Sequence, residues 1–184
     1  MSLVITGNPG VGKHTIAKNL ANILDYKILD INKIARESNL FEKTDETHDV
    51  DVSKLKNILK KKISKKSIIV GHLAPYVLTK SQISKAIILR KNPYSLSKVY
   101  KKRKYSKKKT AENLGSEVLG IIAFDTVKKF GAQKTFQIDA TSKSVSKISK
   151  QAKDIIDGKP SKEIIDWLSV VAKKNDLQKF FSYD

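Results

Sequence analysis

Residues 7–15 read Gly7-Asn8-Pro9-Gly10-Val11-Gly12-Lys13-His14-Thr15, directly after the apolar run Leu3-Val4-Ile5. A short strand, a glycine-rich turn, a lysine and then a helical pattern is the layout of a phosphate-binding P-loop. Gly7, Gly10 and Gly12 let backbone N–H groups, those of Val11 and His14 among them, turn inward around an anion where side chains would block the approach. The helix expected over residues 13–24 aims its unpaired N–H groups and positive dipole end at the same point. Lys13 is placed to reach the β- and γ-phosphates, and a hydroxyl just beyond it to meet Mg²⁺. That hydroxyl usually follows the lysine directly, but here His14 takes the position and the hydroxyl comes one residue later, at Thr15. The expected ligand is ATP or another nucleoside triphosphate with its Mg²⁺, the metal facing Thr15.

The chain has 184 residues and no cysteine, enough for one α/β domain with a real core and without disulfides or thiolate metal sites. No apolar run approaches bilayer-spanning length, and the N-terminus leads straight into the first strand, so neither a membrane segment nor a signal peptide is expected. The expectation is a cytoplasmic monomer. Lys plus Arg total 37 against 18 acids, a formal charge of +19. Such a surface favours polyanions: nucleotide, RNA or a ribonucleoprotein. Three of the 37 basic residues are arginines, Arg36, Arg90 and Arg103. In a chain that otherwise uses lysine, a guanidinium suggests a place where planar, bidentate phosphate recognition matters.

Short apolar runs mark strands at Leu3–Thr6, Lys27–Leu29, Ser67–Val70, Ala86–Leu89 and Lys134–Ile138, with helical patterns near 13–24, 30–38, 53–63, 93–103, 111–130 and 143–157. The alternation predicts a doubly wound, five-stranded parallel sheet with helices on both faces. Gly158 and Pro160 mark a break. A further docking helix over 161–174, capped by Ser161 and presenting Ile164, Ile165, Leu168 and Val171, is expected after it, followed by a mobile tail over 175–184. Two segments interrupt the rhythm. Residues 39–52 are acidic without clear period, and residues 98–109 hold eight basic side chains in twelve, with Tyr100 and Tyr105 offering surfaces on which a base could stack. The acidic segment includes Asp45, Glu46, His48, Asp49 and Asp51, whose spacing fits no standard zinc site.

Taken together, these features resemble the adenylate kinases associated with small ribosomal subunit assembly, the nuclear isoenzyme and its archaeal relatives. Gly-Lys-x-Thr with Pro9 in the loop is the variant seen in nucleoside monophosphate kinases. Asp30-Ile31-Asn32-Lys33-Ile34-Ala35-Arg36-Glu37 is similar to that family's monophosphate-binding helix, and the acidic Asp45–Asp51 stretch follows as it does there. His72 stands where the family has Asp-x-His, Arg103-Lys104-Tyr105 where it has Arg-Gly-Tyr, and Glu112-Asn113 opens the next helix in the same manner. Three positions depart. Val70 replaces the acid that helps hold Mg²⁺, Val99 replaces an arginine before the lid, and Lys104 replaces a glycine. The resemblance implies a P-loop nucleoside monophosphate kinase-like fold over 1–160, an acceptor lobe over about 30–53 and a lid over about 102–112. It implies ATP plus AMP giving two ADP, weak ATPase activity, and contact with rRNA and a small-subunit ribosomal protein (platform protein eleven type). The alternative is a metabolic nucleoside monophosphate kinase or other small-molecule P-loop kinase with no ribosomal role.

On this reading Lys13 and Arg103 stabilise the transferring phosphoryl group, Asp30 and Arg36 serve the acceptor, and Thr15 meets the metal. His72, at a strand's carboxyl end, either orients a water for hydrolysis or is a hydrogen-bonded core histidine. Arg90 lies at another strand end, where open α/β sheets bind ligands, and is equally readable as a structural cap. The His14 imidazole is assigned no role.

Overall fold

A strand with an unbroken apolar run such as Leu3-Val4-Ile5 belongs inside a sheet, not at its edge. In the computed structural model, which describes residues 1–43, 48–161 and 163–181 (backbone alone at 42, 43, 48 and 49), that is where β1 (Ser2–Thr6) lies, buried at every position. The elements that follow are α1 (Lys13–Leu24), β2 (Lys27–Asp30), α2 (Ile31–Glu37), the antiparallel hairpin β3 (Phe41–Lys43) and β4 (His48–Val50), and α3 (Val52–Lys62). After these come β5 (Ser67–Val70), α4 (Ala74–Val77), β6 (Ile83–Arg90), α5 (Pro93–Lys102), α6 (Lys107–Leu119) and α7 (Ile121–Phe130). The last are β7 (Thr135–Asp139), α8 (Val145–Ile156) and α9 (Trp167–Ala172). The five-stranded sheet is parallel throughout in the order β2-β5-β1-β6-β7, the doubly wound arrangement expected from the alternation. Among the described residues no helix is long and apolar enough to cross a membrane.

Successive strand residues face opposite sides of the sheet, and each side has its own core. Leu3, Ile5, Ile68, Val70, Ile87 and Leu89 pack with Ile16 and Leu20 of α1, Leu96 of α5, and Ile148 and Ala152 of α8. Val4, Ile69 and Ala86 pack with Ile31 and Ile34 of α2, Leu55 and Leu59 of α3, Val77 of α4 and Phe130 of α7. Burying one such side chain contributes about 1.5–3 kcal/mol. The two layers together therefore hold the carboxyl ends of β1 and β5 as a fixed platform. Gly7 leaves that platform at φ +135°, and a Cβ there would lie 2.3 Å from the Leu89 carbonyl oxygen. Only glycine can let the loop depart so close to β6.

Three elements differ from expectation. The single helix over 111–130 is two helices, because Gly120 adopts φ +69° and turns the chain between α6 and α7. Within the acidic segment Phe41–Lys43 and His48–Val50 form the paired strands β3 and β4, while Thr44–Thr47, and with them the Asp45 and Glu46 readings, lie outside the described residues. The helix expected over 161–174 starts only at Trp167. Arg90 Nη1 donates to the Ile165 carbonyl at 3.5 Å, and the Asp166 side chain takes the Ser169 N–H at 2.9 Å, so the backbone acceptor and donor that an earlier start would pair are otherwise engaged. Ile164 is 89% exposed, whereas Val171 is fully buried and carries the docking. Beyond it, Leu177–Lys179 form a 3₁₀ turn and Phe180 packs into the sheet core, so the described part of the tail is seated on the domain.

Candidate active site

The carboxyl ends of β1, β2 and β5 open into a cleft of about 710 Å³. Its floor is the glycine-rich loop and the start of α1, with Gly10, Gly12, Lys13, His14 and Thr15 exposed to it. One wall is Asn32 and Arg36 of α2 with Phe41, Val50 and Val52. The opposite wall is Arg103 and Tyr105 from the α5–α6 turn with Lys109, Glu112 and Asn113 of α6, and His72 and Leu73 lie between the walls after β5. Topology thus brings Gly10, Gly12, Lys13, His14, Thr15, Arg36, His72 and Arg103 into one space, across up to 93 positions of sequence. Gly7 and Val11 shape the loop from behind and do not line the cleft.

Lys13 is almost fully buried, and its Nζ donates to the Asn8 carbonyl at 3.2 Å. Burial, reinforced by the Arg103 guanidinium, lowers its pKa from 10.5 to about 8, against smaller opposing effects of Asp30 and Glu117. A lysine so placed gains charge stabilisation when phosphates arrive. His72 is held neutral: burial first, then the charges of Lys13, His14 and Lys109, lower its pKa to about 4. Among the described residues the imidazole has no hydrogen-bonding partner, so the reading of a hydrogen-bonded core histidine is not what the fold presents.

Two other sequence readings change. Asp30 is not on the cleft surface. Its Oδ1 accepts from the Asn32 and Lys33 N–H groups at 3.0 and 3.1 Å, capping α2, and its Oδ2 pairs with His14 Nε2 at 3.0 Å. Desolvation is the largest influence and works against the charged form, but the His14 and backbone hydrogen bonds together hold Asp30 below the ordinary aspartate value. The His14 imidazole is therefore not idle, since it ties the start of α1 to the helix that carries Arg36. Arg90 is a structural residue. Its side chain is 4% exposed, and its Nε donates to Glu117 Oε1 at 2.8 Å.

The tyrosines are also occupied. Tyr100 is fully buried and donates its hydroxyl to the Pro9 carbonyl at 2.7 Å, while Tyr105 stacks on it at 5.2 Å between centroids and 18° between planes. Lys109 Nζ lies 4.8 Å from the Tyr105 ring centroid. Their rings brace the α5–α6 turn against the P-loop instead of offering a free stacking surface. Sequence reasoning overlooked Asn8 and Glu117, both buried behind the loop. The available signal was a carboxylate on the apolar stripe of α6, between Leu114 and Val118.

For a metal, the described residues hold no group of three His, Cys, Asp or Glu side chains, and Val70 is fully buried in the sheet. At the end of the phosphate loop the oxygen that faces the cleft is the exposed Thr15 hydroxyl. That suits a cation such as Mg²⁺, which keeps several waters and takes its remaining ligands from phosphate oxygens.

Fold and cleft together define a P-loop nucleotide kinase. A family model described as an AAA domain matches residues 3–120. A Methanocaldococcus jannaschii protein described as "Putative adenylate kinase" is 30% identical over 189 aligned positions, covering all of this chain and 97% of its own. One from Thermococcus onnurineus with the same description is 27% identical and covers 91% of each. Shikimate kinase from Bacteroides thetaiotaomicron is 17% identical, with a TM-score of 0.58, over 85% of this chain and 98% of that one, a likeness of fold. The chain belongs to the adenylate kinase-like family of P-loop proteins.

Proposed function

We propose that the protein is an adenylate kinase of the type that serves small ribosomal subunit maturation, transferring the γ-phosphoryl group of ATP to AMP to give two ADP. The observation that carries this reading is the cleft with one arginine on each facing wall, Arg36 and Arg103, and the lysine-bearing loop on its floor between them. Phosphoryl transfer needs positioned, charge-neutralised phosphates and little covalent help. Lys13 and the loop N–H groups hold the donor phosphates, and Arg103, on a lid spanning about 102–112, spreads the charge of the transferring group. Arg36, in an acceptor lobe spanning about 30–53, holds the AMP phosphate in line. Asp30 acts one step back, placing α2 and hence Arg36. Mg²⁺ bound with the nucleotide would be held by Thr15 and would neutralise charge on the phosphates. The test is a transfer assay with ATP and each of AMP, CMP, UMP and GMP: AMP is expected to be the preferred acceptor, and indifference to the base would sink the adenylate assignment.

A second reading, an ATP-hydrolysing assembly factor, is favoured by the +19 charge and by Val70 in place of the metal-positioning acid. His72, neutral and without a hydrogen-bonding partner among the described residues, would orient the attacking water. His72→Ala is then expected to reduce ATP hydrolysis more than AMP phosphorylation, because AMP has a phosphate to anchor it and water does not. Equal losses in both activities would count against it.

A further inference from the structure

Asn8 is the second residue of the phosphate loop, yet its side chain does not face the cleft. It is 3% exposed, its Nδ2 donates to Glu117 Oε2 at 2.7 Å, and its Oδ1 accepts from Ser116 Oγ at 3.1 Å. The same residue's carbonyl accepts from Lys13 Nζ. The peptide on which the phosphate lysine rests is therefore anchored by its own side chain to a carboxylate that solvent does not reach. Glu117 is 0% exposed and its other oxygen is shared: Oε1 accepts from Arg90 Nε at 2.8 Å, from the Lys91 N–H at 2.9 Å and from Trp167 Nε1 at 3.1 Å. Arg90 Nη2 also donates to the Glu117 carbonyl at 2.7 Å.

A buried ion pair adds little net stability over an apolar pair of the same shape, since desolvation offsets the attraction. What a fully bonded buried network does supply is a fixed geometry, because any displacement leaves a buried polar group unpaired. Glu117 has one oxygen on the loop and the other on the start of β6's following turn and on the indole of α9. Three turns of chain that are far apart in sequence meet at one carboxylate.

We propose that Glu117 is a positioning residue of the phosphoryl-transfer site, fixing the Asn8 turn of the P-loop from behind and linking it, through the Trp167 indole, to the C-terminal segment. When phosphates enter, Lys13 Nζ turns from the Asn8 carbonyl to phosphate oxygens, and the loop re-forms against the Asn8–Glu117 bond. Glu112 and Asn113 stand on the same helix one to two turns earlier and line the cleft, so a shift of α6 on closing moves Glu117 and the indole with it. The inference rests on the nucleotide-binding role of the cleft.

Trp167 is the chain's single tryptophan and does not line the cleft, so its emission reports this link without interference. The experiment titrates the full chain with ATP and Mg²⁺, following tryptophan emission and heat of binding side by side for the unaltered protein, Asn8→Ala and Glu117→Gln, and heat of binding alone for Trp167→Phe. Asn8→Ala leaves the Arg90–Glu117 pair intact and so keeps the fold testable even if Glu117→Gln melts. Expected in the unaltered protein is a saturable emission change whose midpoint matches the calorimetric one. In Asn8→Ala that change is lost, ATP affinity falls about tenfold as for a hydrogen bond to a charged group, and the KM for AMP stays within about twofold. Trp167→Phe, which keeps an aromatic ring and removes the indole N–H, is expected to weaken ATP binding measured by calorimetry while the protein still melts cooperatively. ATP binding with no change in emission, or unchanged ATP affinity in a folded Asn8→Ala, would overturn the inference alone. Absence of ATP binding to the unaltered protein would overturn it together with the nucleotide site.

Discussion

Burial and the Arg103 charge hold Lys13 near a pKa of 8, below the 10.5 of an unfolded chain. Between those values the folded protein binds fewer protons than the unfolded one, so stability rises as pH climbs from about 8 through 10.5, and below about 8 the cost of the buried charge is fully present. Lys13→Met, which keeps the stem and removes the charge, is expected to abolish phosphoryl transfer while leaving the melting temperature at pH 7 equal or higher. Bound phosphates reverse the effect by favouring the ammonium. ATP binding is therefore expected to weaken above about pH 8 and to take up a proton there, measurable by calorimetry in two buffers of different ionisation heat. The two arginines separate by wall. Arg36→Ala is expected to raise KM for AMP about ten- to a hundredfold with ATP little affected, and Arg103→Ala to lower kcat or raise KM for ATP, as for loss of a charge-assisted contact. A uniform, small change in both constants for both variants would mean that neither wall has been assigned correctly.

Where a helix ends determines which side chains reach the cleft. Gly120 splits the expected 111–130 helix, and that break lets α6 run along the cleft with Lys109, Glu112 and Asn113 while α7 turns away to pack Phe130 under the sheet. A side chain at φ +69° is strained, and a Cβ there would lie 3.2 Å from Arg90 Nη1. Gly120→Ala is therefore expected to cost about 1–2 kcal/mol in denaturant unfolding, as for a left-handed residue with a Cβ. Because it also presses on the Arg90–Glu117 pair, ATP affinity should fall with it. Loss of stability without any loss of affinity would show that the α6 register and the loop are independent. The apolar period over 111–130 is continuous enough to read as one helix, and a lone glycine inside it is a weak stop signal. Its role came from the ion pair beneath it, which no local pattern reports.

The charge of +19 acts over the whole surface. Surface lysines attract a polyanion through released counterions, and that attraction falls steeply with salt. If the protein acts on the maturing small subunit, its association with rRNA and with a small-subunit ribosomal protein is expected to weaken steadily as salt rises. It is also expected to differ between the ATP- and ADP-bound states, since the basic α5–α6 turn forms a wall of the nucleotide cleft. Pull-downs at several salt concentrations with each nucleotide measure both. Association insensitive to salt would remove the lysine surface as its cause.

Local chemistry written into consecutive residues was readable from the sequence alone. The P-loop needs its glycines, lysine and hydroxyl at fixed spacing, and the parallel strands need short apolar runs, so the loop, α1, the five strands and the two-sided sheet follow from order and spacing. Arg36 and Arg103 could be singled out because guanidinium is scarce in a lysine-rich chain. The tertiary structure was needed for everything that depends on which residues meet. Asp30 and His14 meet across the start of two helices, Tyr105 is spent on Tyr100, and Asn8, Arg90, Glu117 and Trp167 converge although up to 159 positions separate them. The C-terminal helix is shorter than its apolar period because Arg90 and Asp166 claim the backbone groups an earlier turn would use. Periodicity reports which face of an element is apolar. It carries no record of the partner that face will find, and buried polar groups are placed by their partners.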